Sequence, residues 1–155
     1  MTAQIIMTVA EMQDRKKWLE TRRTGIGGSD ASVIAGLNQY RSLFSLWLDK
    51  SGQMEVNVEE EQSLETDADE KRYWGQYFEE GIAQWFTKKT GKKVRRCGML
   101  RSEEYPFMIA DVDRVVVGEN AILECKTTAS WHKDEWDDEQ LPDSYYCQVQ
   151  HYMAV

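Results

Sequence analysis

The feature that most narrows the fold is a change of apolar period at Gly91. Before it, Tyr77, Phe78, Gly81, Ile82, Trp85 and Phe86 recur at helical spacing, which predicts a strongly amphipathic helix over 72–90 stopped by Gly91. After it, Lys93 to Leu100, Phe107 to Val117 and Ala121 to Thr127 are rich in branched residues and read as strands. Gly118, Glu119 and Asn120 supply a turn tight enough to fold the last two strands into an antiparallel hairpin. A final helix is expected from about Asp143 or Ser144 to the terminus. Helices, then strands, then a helix imply an α+β fold, an α/β/α sandwich around a small sheet.

Upstream, Thr8 and Glu11 have the form of a capping box, so a helix is expected from about Val9 to Thr21, ending near Gly25. Gly25, Gly27 and Gly28 form a permissive loop, and Ser29 or Asp30 can cap a short helix through Ala35 that Gly36 closes. Ser42 opens another, with Leu43, Leu46 and Trp47 as its buried stripe and Gly52 as its stop. Met54 to Lys71 is acidic and poor in apolar residues, and is expected to be a loop that adds little to the core. At 155 residues, 41% of them apolar, the chain suits one domain.

The net charge of −8 argues against a nucleic-acid partner until its distribution is considered. Gln53 to Glu70 holds eight acids and Asp134 to Glu139 five, with no base in either; without them 14 acids face 19 bases. Arg22, Arg23, Lys88, Lys89, Lys92, Lys93, Arg95 and Arg96 stand in tight groups within that basic remainder. Cys97, Cys125 and Cys147 are odd in number and widely spaced, which excludes a disulfide framework, a CxxC zinc site and a four-cysteine iron–sulfur cluster. No apolar run has the length of a membrane helix and no signal peptide is evident, so an intracellular protein is expected.

The hairpin carries the chemistry. Glu124 and Lys126, two residues apart, share one strand face, while Leu123 and Cys125 point to the other. If Asp113 sits across the hairpin, its carboxylate meets that of Glu124 in a hard oxygen site of the kind that suits Mg²⁺ or Mn²⁺. Lys126 can then orient a water or stabilise transition-state charge, which is phosphodiester hydrolysis chemistry. A bare D…ExK pattern is more often a solvated hairpin, so its neighbours matter. Asp111 lies on the same predicted face as Asp113 and competes with it as the ligand. Gln148 and Tyr152, four apart on the last helix, project from one side. Trp131 and Trp136, among acids, are read as packing residues, with base stacking as the alternative.

Gly25 to Ala31, Trp74 to Glu79, Ala110 to Arg114, Leu123 to Thr128 and Gln148 to Tyr152 occur in the order of a known family. Over roughly Arg15 to Val155 the chain resembles the YqaJ viral recombinase family, which is similar to lambda exonuclease and shares the PD-(D/E)xK nuclease fold. The Pro-Asp of that name is absent, since Val112 precedes Asp113. The resemblance implies a Mg²⁺-dependent exonuclease acting on duplex DNA ends from the 5′ side in phage-type recombination. It makes Asp113, Glu124 and the Cys125 carbonyl metal ligands, Lys126 the catalytic lysine and Glu79, in preference to Glu80, the helix acid. Gln148 joins the catalytic group, while Arg23, Ser29 and Tyr152 contact DNA or its 5′-phosphate. A single-strand annealing protein as partner, a homotrimer, and a phage or prophage protein in the bacterial cytoplasm are further expectations. The chain stops sooner after Gln148 than the family suggests, so a missing C-terminal segment is expected. The rivals are an endonuclease or resolvase on the same hairpin and a DNA-binding module without turnover.

Overall fold

A computed structural model of the chain describes residues 3–56, 66–128 and 141–155, the side chain of Ala68 excepted. They belong to two compact units, one of residues 1–56, 98–111 and 131–155 and one of 57–97 and 112–130. Trp131, Trp136 and the acidic run 134–139 fall outside the described residues.

In the first unit, β1 (Ala3–Met7), β3 (Met99–Ser102) and β4 (Ile109–Ala110) form an antiparallel sheet in the order β1-β3-β4. Ile5 pairs with Leu100 and Met7 with Met99, with a bulge between. Met7, Met99 and Ile109 are its buried centre, against which Ile6, Met12 and Trp18 pack. Thr8 and Glu11 do form the capping box, Thr8 N–H donating to Glu11 Oε2 at 2.9 Å, but it encloses only a 3₁₀ turn, Glu11–Gln13. Asp14 is extended and caps the true helix α1 (Arg15–Arg23) by accepting from Lys17 N–H at 3.1 Å. One expected helix is therefore two elements, because two capping signals lie six residues apart and the later one starts the longer run.

Helix α2 (Gly28–Ile34) follows the glycine loop, with Gly27 as its cap. Neither Ser29 nor Asp30 is that cap; Asp30 instead reaches back, accepting from Gly27 N–H at 2.9 Å. α2 packs on the last helix α5 (Asp143–Ala154). A Cβ at Gly28 would lie 2.6 Å from Tyr152 Cε1 and 2.9 Å from Gln148 Cγ, so only glycine allows this approach. His151 is buried on α5, its Nε2 3.0 Å from the Ile109 carbonyl oxygen. Ser42 caps α3 (Leu43–Lys50) as expected, but only Leu46 of its stripe is buried; Leu43 and Trp47 are exposed.

A charged cluster ties α1, α2 and α3 together. Asp30, 1% exposed, pairs with Lys50 Nζ at 2.7 Å and Arg41 at 3.3 Å. Asp49 bridges Arg41 at 2.6 Å and Arg23 at 2.7 Å. Lys50 Nζ also donates to the carbonyls of Arg22 and Gly25, both at 2.7 Å.

The second unit is built on α4 (Asp67–Thr90), capped reciprocally by Thr66 and Asp69 and ended at Gly91. It starts five residues earlier than expected, inside the stretch read as loop. β2 (Val94–Arg95), β5 (Arg114–Val116) and β6 (Ile122–Leu123) form the second antiparallel sheet, in the order β2-β5-β6. The expected hairpin is there: Arg114 pairs with Leu123 and Val115 with Ile122, and Gly118 makes the turn at φ 83°. The long predicted strands are broken into short ones, and strands of two or three residues cover little of α4. Tyr77 and Trp85 are accordingly 63% and 60% exposed, while Ala83 is the buried α4 residue among those described.

Candidate active site

In the second unit, α4 and the hairpin present one cavity. Positions four and seven residues apart share a helix face, so Arg72, Gln76 and Glu79 line it from α4. Asp113, Glu124 and Lys126 line it from the hairpin, with Cys125 and Thr127 beside them. Asp113 immediately precedes β5 and Glu124 immediately follows β6, so the pairing of Arg114 with Leu123 brings the two acids to the same end of the ladder. The Asp113 carboxylate accepts from Cys125 N–H at 2.6 Å. Lys126 Nζ donates to Glu124 Oε1 at 2.7 Å, the same-side placement that an i, i+2 spacing gives.

Burial, and after it the charge of Glu124, pushes the Asp113 carboxyl up to about 6; the Cys125 amide works in the opposite direction. Two half-buried acids therefore press on each other, a state that a cation relieves. Burial, followed by the charge of Asp113, also pushes the Cys125 thiol up to about 11. Among the described residues no group of three His, Cys, Asp or Glu gathers as a metal-binding set. What the cavity lining offers is the carboxylates of Asp113 and Glu124, with the Cys125 backbone carbonyl following Glu124 in sequence, a hard-oxygen set that suits an ion keeping several of its waters, as Mg²⁺ does.

Glu79 is engaged by Arg114, whose guanidinium binds it through Nη1 and binds Glu80 through Nη2 at 2.9 Å. Burial opposes the arginine's charge, and the bonds from Glu79 and Glu80 more than restore it. Glu79 lines the cavity and Glu80 does not. Likewise Asp113 lines it, whereas Asp111, in the first unit, accepts from Trp18 Nε1 at 2.7 Å.

The remaining expected site residues lie in the first unit. Gln148 Nε2 donates to the Tyr152 hydroxyl at 3.0 Å, so the two do share a side of α5, against Gly28. Ser29 has Arg22 beside it, Nη2 to Oγ at 3.0 Å. Arg23, expected next to Ser29, instead donates to Asp49 Oδ1 at 2.7 Å and to the Glu55 carbonyl at 3.2 Å. Adjacent helix residues point about 100° apart, so the two arginines serve different neighbours.

Four residues that line the cavity, Arg72, Gly75, Gln76 and Thr127, were not singled out from sequence, and neither was the buried Arg114 that binds Glu79. Arg114 left a signal. Val112, Arg114 and Val116 are 4%, 3% and 6% exposed, an inward alternation with a charge at its centre. A charge at an inward position needs partners, and two consecutive acids on a helix are a good match.

Five helices and two small antiparallel sheets among the described residues form a mixed α+β arrangement consistent with the PD-(D/E)xK-like fold. No helix among them is long and apolar enough to cross a membrane. The family model for the YqaJ-like viral recombinase domain matches residues 17–155. A Bacillus subtilis (strain 168) protein described as "Uncharacterized protein YqaJ" is 51% identical over 154 residues, which is 99% of this chain and 46% of that relative. The chain thus spans about half the length of the curated relative that it matches. With a family model matching residues 17–155 and a relative 51% identical over nearly the whole chain, the chain belongs to the YqaJ-like viral recombinase family.

Proposed function

We propose that the chain is a divalent-metal-dependent DNA exonuclease acting on duplex ends in phage-type recombination. The observation that carries this reading is the Lys126 ammonium 2.7 Å from Glu124 Oε1, in a cavity that Asp113 also lines. Asp113, Glu124 and the Cys125 carbonyl would hold Mg²⁺ or Mn²⁺, which supplies Lewis acidity towards a phosphoryl oxygen. Glu124 pins the Lys126 side chain, so its ammonium is in place to meet charge developing on the scissile phosphate without reorganising first. The Cys125 amide fixes the Asp113 carboxylate, leaving its other oxygen for the cavity. Glu79 completes the acidic wall from α4.

On the family resemblance, Arg23, Ser29 and Tyr152 contact DNA and its 5′-phosphate, and Gln148 positions DNA or the attacking water. The same resemblance extends the reading to 5′-to-3′ polarity, a homotrimer and delivery of the product strand to an annealing protein. Its test is digestion of a linear 5′-phosphorylated duplex beside a covalently closed circle, with Mg²⁺ or with EDTA. The expected result is loss of the linear DNA alone, and only with Mg²⁺. Cleavage of the circle would replace exonuclease by endonuclease, and no Mg²⁺-dependent loss of either would remove the enzyme.

A further inference from the structure

We propose that Arg114 is the positioning residue of this cavity: its guanidinium clamps Glu79 and Glu80 of α4 onto the start of β5, so that Glu79 works through Arg114 as an anchor of the cavity wall rather than as an independent ligand. The proposal rests on the reading of the cavity as a cation-dependent nuclease site. Three observations carry it. Arg114 is 3% exposed and sits between Val112 and Val116 on the inward side of its segment, so its charge is committed to whatever faces it there. Both terminal nitrogens are used: Nη1 binds Glu79 and the Asp113 carbonyl, the latter at 2.6 Å, and Nη2 binds Glu80 Oε2 at 2.9 Å. Finally, the residue whose carbonyl it holds is Asp113, whose side chain lines the cavity, so one side chain references the α4 acid and the hairpin acid to each other.

Geometry explains the choice of arginine. Two consecutive helix carboxylates diverge by about 100°, and a planar fork with separated donors can hold both at once, whereas an ammonium group is a point charge on a flexible stem. Arg96 also approaches Glu79, but at 3.9 Å from an exposed side chain, too far for a hydrogen bond. Glu79 is thus engaged from the buried side, while Asp113 and Glu124 line the cavity from the hairpin.

The test is a double-mutant cycle on the whole chain, read by Mn²⁺ calorimetry and by Mg²⁺-dependent cleavage of linear duplex. Loss of a residue that orients a metal ligand typically costs about 10- to 100-fold in affinity or activity, and Arg114→Met is expected in that range on both readouts. Arg114→Lys should recover only part, because it returns the charge and not the fork. Adding Glu79→Gln to Arg114→Met should cost nothing further. Glu119→Gln, which loses the exposed pair of Glu119 with Lys92 at 2.7 Å in the same unit, should leave both readouts unchanged. Multiplying effects of Glu79→Gln and Arg114→Met would overturn the clamp, as would a folded Arg114→Met chain that binds Mn²⁺ as the parent does. Should Arg114→Met fail to fold by circular dichroism, Arg114→Lys takes its place in the cycle, where non-additive losses support the clamp and multiplying losses overturn it. A parent chain that binds Mn²⁺ without cutting DNA would sink the nuclease reading while the binding arm still decides the clamp. A parent chain that binds no Mn²⁺ would sink both.

Discussion

Lys126→Ala is expected to reduce Mg²⁺-dependent cleavage by about 10²- to 10³-fold while the chain stays folded, because it deletes a preorganised positive charge aimed at the scissile phosphate. The fold should survive because Lys126 lies beyond Leu123, the last paired residue of β6, and its ammonium bonds the Glu124 side chain. Initial rates on linear duplex and far-UV circular dichroism check the two halves. A folded variant with the parental rate would take Lys126 out of the chemistry. An unfolded one would make it a structural residue of the hairpin.

Asp30→Ala should have the opposite signature, a large loss of stability at a residue that does not line the cavity. Asp30 is almost wholly buried and answers Lys50, Arg41 and the Gly27 amide at once. Burial already pushes the Lys50 ammonium below its usual pKa, and the bond and charge of Asp30 oppose that push. Removing the carboxylate leaves a buried cation without its counter-charge, a change that typically costs about 3–5 kcal/mol. Asp30→Asn keeps an acceptor for Gly27 and should lose less. Urea unfolding followed by tryptophan fluorescence and circular dichroism measures both. A loss below about 1 kcal/mol for Asp30→Ala, the scale of exposed ion pairs, would mean that solvent reaches the cluster.

The cavity was legible where its geometry is local. A turn at 118–120 and a two-residue spacing from Glu124 to Lys126 determine side and partner, and the hairpin brings Asp113 to Glu124 as those rules require. The Ser42 cap and the stop at Gly91 were legible for the same reason. Choices between two local signals were less so. Thr8 and Asp14 both cap, and which one starts the longer helix depends on the residues downstream of each; Thr66 and Asp69 cap α4 from inside an acidic stretch that looked like a loop. The inward place of Arg114 left a signal in its alternation with Val112 and Val116, but its partners and the separate allegiances of Arg22 and Arg23 did not, because each depends on residues 7 to 35 positions away. The aromatic stripe of α4 shows another limit. Tyr73 and Tyr77 stack on each other along the helix with centroids 6.3 Å apart, so helical period marked a shared face without marking its burial.

The central claim is that the carboxylates of Asp113 and Glu124 share a divalent ion. Anomalous diffraction from crystals grown with Mn²⁺ tests it most directly. The account predicts a peak in the cavity bonded to both carboxylates, with Lys126 alongside; a well-ordered cavity with no peak, or an ion bound by neither acid, would contradict it.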